Sequence, residues 1–323
     1  MRIAVLYNFD FAHLPEGVER RSQDAILGVR AAVEAALCAR GAQVRSIPVA
    51  SAPADFVPEL LAERPELVVN LCESFAGEAR GEMLVPGLLD LTGLAYTGSG
   101  PLALTLALHK DKAKALLRGC GVTTPDSALI ERLPDLEQVS VALPAIVKPA
   151  REDASIGIDR HSVVRDKSEL RRVCERVLRE HRQPALVEQY VALLGNPPRP
   201  LPISEIDFTH LDPSLPRIVT YAAKWDESSP EYLATPPVWC SLPEEIEQRV
   251  YQAAVAAFTA LDCRDYGRVD IRLSPEGVPF VIEVNPNCDL SPGAGFARAA
   301  EASGLGYEDL VWRLVEVARE RGP

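Results

Sequence analysis

No apolar run among the 323 residues is long enough to cross a bilayer, which takes roughly 20 apolar residues in a row. The opening residues, MRIAVLYNFD, lack the basic region, long apolar stretch and small-residue cleavage site of a secretory leader. The expectation is a cytoplasmic protein without membrane contact. The seven cysteines include no CxxC pair, which argues against a zinc ribbon or a disulfide scaffold and for reduced thiols, most of them filling core positions. There is no surplus of basic residues either: 34 Lys and Arg stand against 46 Asp and Glu, a net charge of -12. A broad nucleic-acid surface is excluded on that ground, and any phosphate site must be built locally. Internal repeats and low-complexity tracts are also missing.

What is present is concentrated between Tyr266 and Gly295. Val269, Ile271 and Leu273 alternate with Arg268, Asp270 and Arg272, and after the turn formers Ser274, Pro275 and Gly277 the residues Val278, Phe280, Ile282 and Val284 alternate again. A period of two predicts a β-hairpin. With Leu273 opposite Val278, Asp270 would face Val281, Arg268 would face Glu283, and the apolar residues named would form the opposite face. Arg268, Asp270, Glu283 and Asn285 would then share one surface. Two carboxylates and an amide oxygen on adjacent strands suit a hard cation such as magnesium. The competing reading is a solvated sheet face with an Arg268–Glu283 pair. The turn-prone run Asn285, Pro286, Asn287 at the strand end favours a site.

Ahead of this hairpin the first 71 residues read strand, helix, strand, helix, strand, with strands at 3–7, 44–49 and 67–71, which predicts a parallel sheet covered by helices. Ligands of such sheets gather at the carboxyl ends of strands, so Asn8 and the stretch 70–74 are mouth residues, with Glu73 balanced between ordinary loop acidity and substrate contact. One helix is predicted from Pro101 to Leu117. Its Lys110, Lys112 and Lys114 alternate, so they are not expected to share a face, although one of them could turn toward a phosphate. Segments 144–148 and 158–164 predict a hairpin around REDASIG, whose loop amides could cover phosphates although it holds a single glycine, Gly157. Further strands are expected at 185–191 and in ISEIDF, and helices at 244–261 and 307–319. Lys224, in a stretch rich in Pro and Ser, reads as a solvated lysine or a phosphate ligand.

A lysine on a helix, Lys148 before a small-residue loop, Glu188 on a strand, Lys224, and then Arg268 and Asp270 ahead of Glu283 and Asn285 form an ordered set. In that order the chain resembles the ATP-grasp superfamily and, within it, the D-alanyl-D-alanine ligase family. The likeness runs from about Leu67 onward and is carried by NLCESFAGEARGE, YTGSG, PAIVKP, LVEQY, GRVDIR and IEVNPN. It implies an α/β and α+β fold of ATP-grasp type, with an N-terminal Rossmann-like parallel-sheet domain at 1–101, a central subdomain at 102–187 and a C-terminal subdomain at 188–323. It further implies that Lys110 and Lys148 hold ATP phosphates, that Glu188 lies beside the adenine, and that Lys224 reaches the nucleotide from a covering loop. Asp270, Glu283 and Asn285 would hold two magnesium ions, with manganese as a substitute, while Arg268 sits beside the transferred phosphate and Ser155 lies in the closing loop. The implied reaction activates a carboxylate as an acyl phosphate, lets an amine attack it, and releases ADP and phosphate. Such chemistry brings two anions together and needs charge neutralisation more than a nucleophilic side chain. A homodimer is implied by the resemblance alone.

The departures from the family pattern are specific. Trp225 stands where the family carries tyrosine, Ala154 and Ser155 where it carries two serines, and Cys72 and Glu73 where a histidine is expected. The N-terminal Glu-Arg-Glu signature is absent, with Glu19 and Arg20 as the nearest counterpart. No Gly-Arg-Glu step follows Glu188, and NPNCDLSPGAG is longer than the family's spacing, so that Asn287, Asp289 and Gly293 all stand as substrate candidates. Most of these losses fall where D-alanine would be held, while the magnesium triad is whole. The expectation is therefore a ligase acting on a different amino acid or a small peptide, a true D-alanine–D-alanine ligase being the alternative. A non-catalytic nucleotide-binding scaffold is the reading of another class, motivated by the missing glutamate and opposed by the retained lysines, Arg268 and triad.

Overall fold

The computed structural model describes residues 1–9, 18–138, 141–152, 155–181, 185–186, 193–194 and 198–322. Strands β1 (Arg2–Asn8), β2 (Gln43–Val49) and β3 (Leu67–Asn70) form a parallel sheet in the order β2-β1-β3, connected by helices α1 (Val18–Ala39) and α2 (Pro53–Glu63). Alternate residues of β1 serve two cores: Ile3 and Val5 pack with Val33 and Leu37 of α1, whereas Ala4 and Leu6 pack with Phe56 and Leu60 of α2. Burial of both faces is what makes the strand read as an unbroken apolar run. Asn8 and Asn70 end their strands side by side, as sequence placed them. Helix α3 (Leu84–Thr92), which the sequence reading did not anticipate, adds Val85 and Leu89 to the second core.

The single helix expected at 101–117 is two, α4 (Pro101–Leu108) and α5 (Lys110–Gly119), separated at His109, where φ of -88° and ψ of 74° break the helical path. The hairpin around REDASIG exists but is short. Strand β4 (Ala145–Ile146) pairs antiparallel with β6 (Val163–Val164), and β5 (Lys148–Pro149) pairs with β7 (Ala185–Leu186). Residues 158–162 turn instead of extending, because Asp159 accepts hydrogen bonds from its own neighbours, His161 N at 2.8 Å among them. Helix α6 (Lys167–Glu180) starts at Asp166, whose carboxylate caps the amides of Ser168 and Glu169, and lays Val173, Cys174 and Val177 against Val147 and Val164.

Strands β8 (Leu193–Leu194) and β9 (Ser204–Ile206), short helices α7 (Tyr221–Trp225) and α8 (Pro230–Leu233), and strand β10 (Pro237–Trp239) lead into α9 (Glu244–Ala260). The helix delivers the chain to β11 (Tyr266–Leu273) and β12 (Pro279–Asn285), an antiparallel pair with β8 on its outer side. Val250, Ala254, Ala257 and Phe258 of α9 meet Val269, Ile271, Val281 and Val284 in one core. Helices α10 (Gly295–Ala302) and α11 (Tyr307–Arg321) close back on α1. Among the described residues no helix is long and apolar enough to cross a membrane. All seven cysteines are free, but only Cys72, Cys174 and Cys288 are buried, so the expectation that most would fill the core does not hold.

Candidate active site

The hairpin sets the site, in a register other than the one expected. Ser274 N–H donates to the Val278 carbonyl at 3.0 Å and Gly277 N–H to the Ser274 carbonyl at 2.9 Å, so Pro275, Glu276 and Gly277 make a three-residue turn with Gly277 at φ +74°. Leu273 therefore opposes Pro279, not Val278. That slip alone would turn Glu283 toward the core, since a shift of one residue exchanges faces. A bulge restores it: Ile271 pairs with Val281 and Asp270 with Glu283, leaving Ile282 as the extra residue. Val281 consequently joins the helix-facing core instead of facing Asp270, and Arg268 lies opposite Asn285 instead of Glu283.

Asp270 is 1% exposed and takes both oxygens to one guanidinium, with Arg268 Nε at 2.8 Å and an Arg268 Nη at 3.1 Å. Burial pushes its carboxyl above the ordinary range, against the pull of Arg268, and the neighbouring Glu283 adds to the rise. Glu283 goes the other way. Burial would raise it, but the ammonium groups of Lys110 and Lys148, each 3.4 Å from Oε2, hold it well below the usual carboxylate range. Lys110 faces inward because α5 begins afresh at that residue, and one turn later Lys114 is buried on the same face and donates to Thr124 Oγ1 at 2.8 Å. The alternation of lysines had suggested that they would diverge. In fact Lys110 and Lys114 share a face, a spacing of four that was visible in the sequence, while Lys112 points to solvent.

Lys148, on β5, is buried just before the small-residue loop. Within that loop Ser155 (φ +62°) and Gly157 (φ +76°) adopt left-handed backbone, and Ile158 N–H donates to the Ser155 carbonyl at 3.0 Å. The carbonyl of Ile158 in turn accepts from Tyr221 N–H at 2.9 Å, which fastens α7 onto the loop. Helix α7 owes its start to Thr220, whose side chain caps Ala223 N–H. It carries Lys224 over the Trp225 ring, 5.2 Å from the centroid. Burial and the nearby Arg268 lower the Lys224 ammonium pKa, while Asp270, Glu283 and Glu73 oppose that. Lys224 thus belongs to the same charged cluster although it lies in a different segment.

The remaining candidates are placed as follows. Glu73 N–H donates to Asn8 Oδ1 at 2.6 Å, holding its loop at the mouth of the parallel sheet. The side chain of Asn287 reaches back to that loop, donating to the Cys72 carbonyl at 2.9 Å. Asp289 is exposed and caps its own turn through Ser291 N–H at 2.8 Å. Gly293 is exposed with φ +85°. Glu188 lies outside the described residues, as does the side chain of Glu19, whose backbone is in α1. From sequence, Lys114 stands only as one of three lysines of which one could turn toward a phosphate, and Glu82 and Tyr266 are not singled out as site residues. Only Lys114 had a local signal; the other two enter through long-range contacts.

Chemically this is a face with the oxygens of Asp270, Glu283 and Asn285 on one side and the cations of Lys110, Lys148, Lys224 and Arg268 around them. Among the described residues no cluster of three or more His, Cys, Asp or Glu could hold a metal ion. Two carboxylates plus an amide oxygen fit an ion that keeps water and phosphate oxygens in its shell, which is the habit of magnesium. The ammonium and guanidinium groups now balance the carboxylates that such an ion would meet.

Comparison with known proteins adds the following. Residues 128–316 match the family described as D-ala D-ala ligase C-terminus. The chain is 35% identical over 278 residues to an uncharacterized protein, y4sG, of Sinorhizobium fredii, covering 82% of this chain and 78% of that one. It is 31% identical over 243 residues to the D-alanine–D-alanine ligase of Nitrosospira multiformis, covering 72% and 74% respectively. The crystal structure of D-alanine–D-alanine ligase from Bacillus anthracis complexed with ATP superposes with a TM-score of 0.75 at 22% identity, over 99% of both chains. That last likeness concerns the fold.

Proposed function

Because the chain belongs to the D-alanine–D-alanine ligase family of ATP-grasp proteins, we propose that it is an ATP-dependent, ADP-forming ligase that joins an amino acid or small peptide to an amine through an acyl phosphate. The observation that carries the reading is the pairing of Asp270 with Glu283 at the bulge, ringed by Lys110, Lys148 and Arg268.

In this reading Asp270, Glu283 and Asn285 hold magnesium, two ions in the full site, which when bound lowers the repulsion between the triphosphate and the incoming carboxylate. Lys110 and Lys148 bind phosphate oxygens, and they are ready to do so because Glu283 already holds them in one place. Arg268, pinned by both oxygens of Asp270, steadies the transferred phosphate. The loop amides around Ser155 close over the nucleotide, with Lys224 brought down on them by the Tyr221–Ile158 hydrogen bond. Charge neutralisation by fixed groups costs no reorganisation during the reaction.

Trp225, Cys72 and Glu73 stand where the family's usual residues are replaced, and they support a substrate other than D-alanine. In the same reading Glu73 would meet the ammonium group of the substrate. The same proposal includes a homodimer and a reducing, cytoplasmic setting, the latter in keeping with the free thiols.

The test is thermal unfolding with magnesium and ATP together and with each alone, since a ligand bound only by the folded chain raises Tm. A rise that needs both and is lost in Asp270→Ala supports the site. ADP release is then screened with D-alanine and each proteinogenic amino acid. Release with D-alanine alone would overturn the substrate reading, and no Tm shift at millimolar ATP would overturn the nucleotide site.

A further inference from the structure

One amide joins three parts of the chain. Asn287 Oδ1 accepts from the Tyr266 hydroxyl at 2.8 Å, and its Nδ2 donates to the Cys72 carbonyl at 2.9 Å and to Glu82 Oε1 at 2.7 Å. An asparagine side chain offers two N–H donors and one oxygen. All three are committed here, to the first residue of β11, to the loop after β3, and to the residue that follows the turn of that loop. The backbone N–H of the same residue donates to Asn285 Oδ1 at 3.1 Å, which fixes the orientation of an amide at the cation face.

The partners are themselves anchored. Tyr266 is wholly buried and packs against Phe296 with ring centroids 5.7 Å apart and the rings tilted by 54°. Cys72 is buried, and the residue after it, Glu73, is tied to Asn8. The Asn287 side chain therefore ties the loop that carries Glu73 to the strand end that carries Glu283 and Asn285. Lys110 and Lys148 take their positions from other elements, α5 and β5.

We infer that Asn287 is a positioning residue that sets the spacing between the Glu73 loop and the cation-binding strand end, with Glu82 as the anionic end of the link. Resting on the ligase reading above, this makes the affinity for the amino-acid substrate depend on the Asn287–Glu82 pair, while the affinity for ATP does not. The side chain acts through the groups it holds, with no donor left over for substrate.

Asn287→Asp keeps the oxygen that accepts from Tyr266 and turns the nitrogen that donates to Glu82 and to the Cys72 carbonyl into a second carboxylate oxygen. Glu82→Gln in the same chain restores a donor–acceptor pair in the opposite sense. With the amino acid of the screen that gives most ADP release from the wild type, Asn287→Asp should raise KM for that amino acid about tenfold, the scale of losing a hydrogen bond to a charged group. KM for ATP should stay within about twofold and kcat should fall less than KM rises. The double variant should recover a clear part of the lost affinity. A double variant no better than Asn287→Asp, or a KM for ATP that rises in proportion, would overturn the inference. Should the wild type release no ADP with any amino acid, the ligase reading fails by itself. The four Tm values of the cycle then still report on the link: a double variant more stable than the sum of its singles supports it, and strict additivity refutes it.

Discussion

Asp270 and Glu283 stand directly opposite each other on β11 and β12, yet their contacting cations differ: Arg268 holds Asp270, and Lys110 and Lys148 hold Glu283. The two carboxyl groups are driven in opposite directions, Asp270 upward by burial and Glu283 downward by the two ammonium groups. Removing the Glu283 charge takes from two buried lysines, Lys110 and Lys148, a carboxylate that both contact. Glu283→Gln should therefore destabilise the ligand-free chain by about 3 kcal/mol, the low end for breaking a buried ion pair, as read by urea unfolding at neutral pH. It should also abolish ADP release. Unchanged stability would mean that the lysines are balanced elsewhere.

Gly157 occupies left-handed backbone at φ +76°, and a Cβ there would stand 2.7 Å from Pro149 Cγ and 2.7 Å from His181 Nε2. Gly157→Ala should cost more than about 1 kcal/mol, since the backbone itself disfavours the change. Its distinctive effect should be a raised KM for ATP, because the displaced loop is the one beside Lys148. An unaltered KM for ATP would remove the loop from the nucleotide site.

Asp159, at the base of the same loop, is held by Arg176 at 2.5 Å. Burial would raise its carboxyl, but the guanidinium and the His161 amide keep it below its ordinary value. A depressed folded pKa contributes stability that is present above the unfolded value of about 3.9 and is lost as pH falls through the folded one. Arg176→Met should therefore lower Tm at pH 7, and the gap to the wild type should narrow on acidification to pH 3. A gap independent of pH would assign the effect to packing alone.

Trp225 provides the face on which the Lys224 ammonium rests, a contact that elsewhere stabilises by about 0.5–1 kcal/mol. Trp225→Ala should mainly raise KM for the second substrate, measured at saturating ATP. Identical KM values for every substrate would place the indole outside the site.

Much of this was readable in advance. The parallel sheet, α9 and the β11–β12 hairpin follow from apolar periodicity, because each buries a full face and so imprints its period on the chain. The order of Lys110, Lys148, Lys224, Arg268, Asp270, Glu283 and Asn285 carried the family. What could not be read has a common cause. Nothing local marks Ile282 as the extra residue, since isoleucine suits a regular strand equally well. The break at His109 involves neither Pro nor Gly, so helical periodicity ran across it. Tyr266, Glu82 and Asn287 meet only after the chain has folded, Glu82 and Asn287 from positions 205 residues apart. Helix α7 lay hidden in a stretch whose Pro and Ser content suggested loop.

The bulge at Ile282 makes the site sensitive to length more than to composition. Replacing Ile282 by valine would leave the ladder as it is, and deleting it would let the Ile271–Val281 and Asp270–Glu283 pairs follow one another in a regular ladder, with Glu283 still opposite Asp270. A regular ladder that kept Ile282 would instead set Glu283 opposite Val269 on the core side and turn Val284 to the face of Arg268. The number of residues between Pro279 and Glu283 therefore decides which face carries the carboxylate, and a related chain without the bulge should align with a one-residue gap at Ile282, where Glu283 keeps its partner.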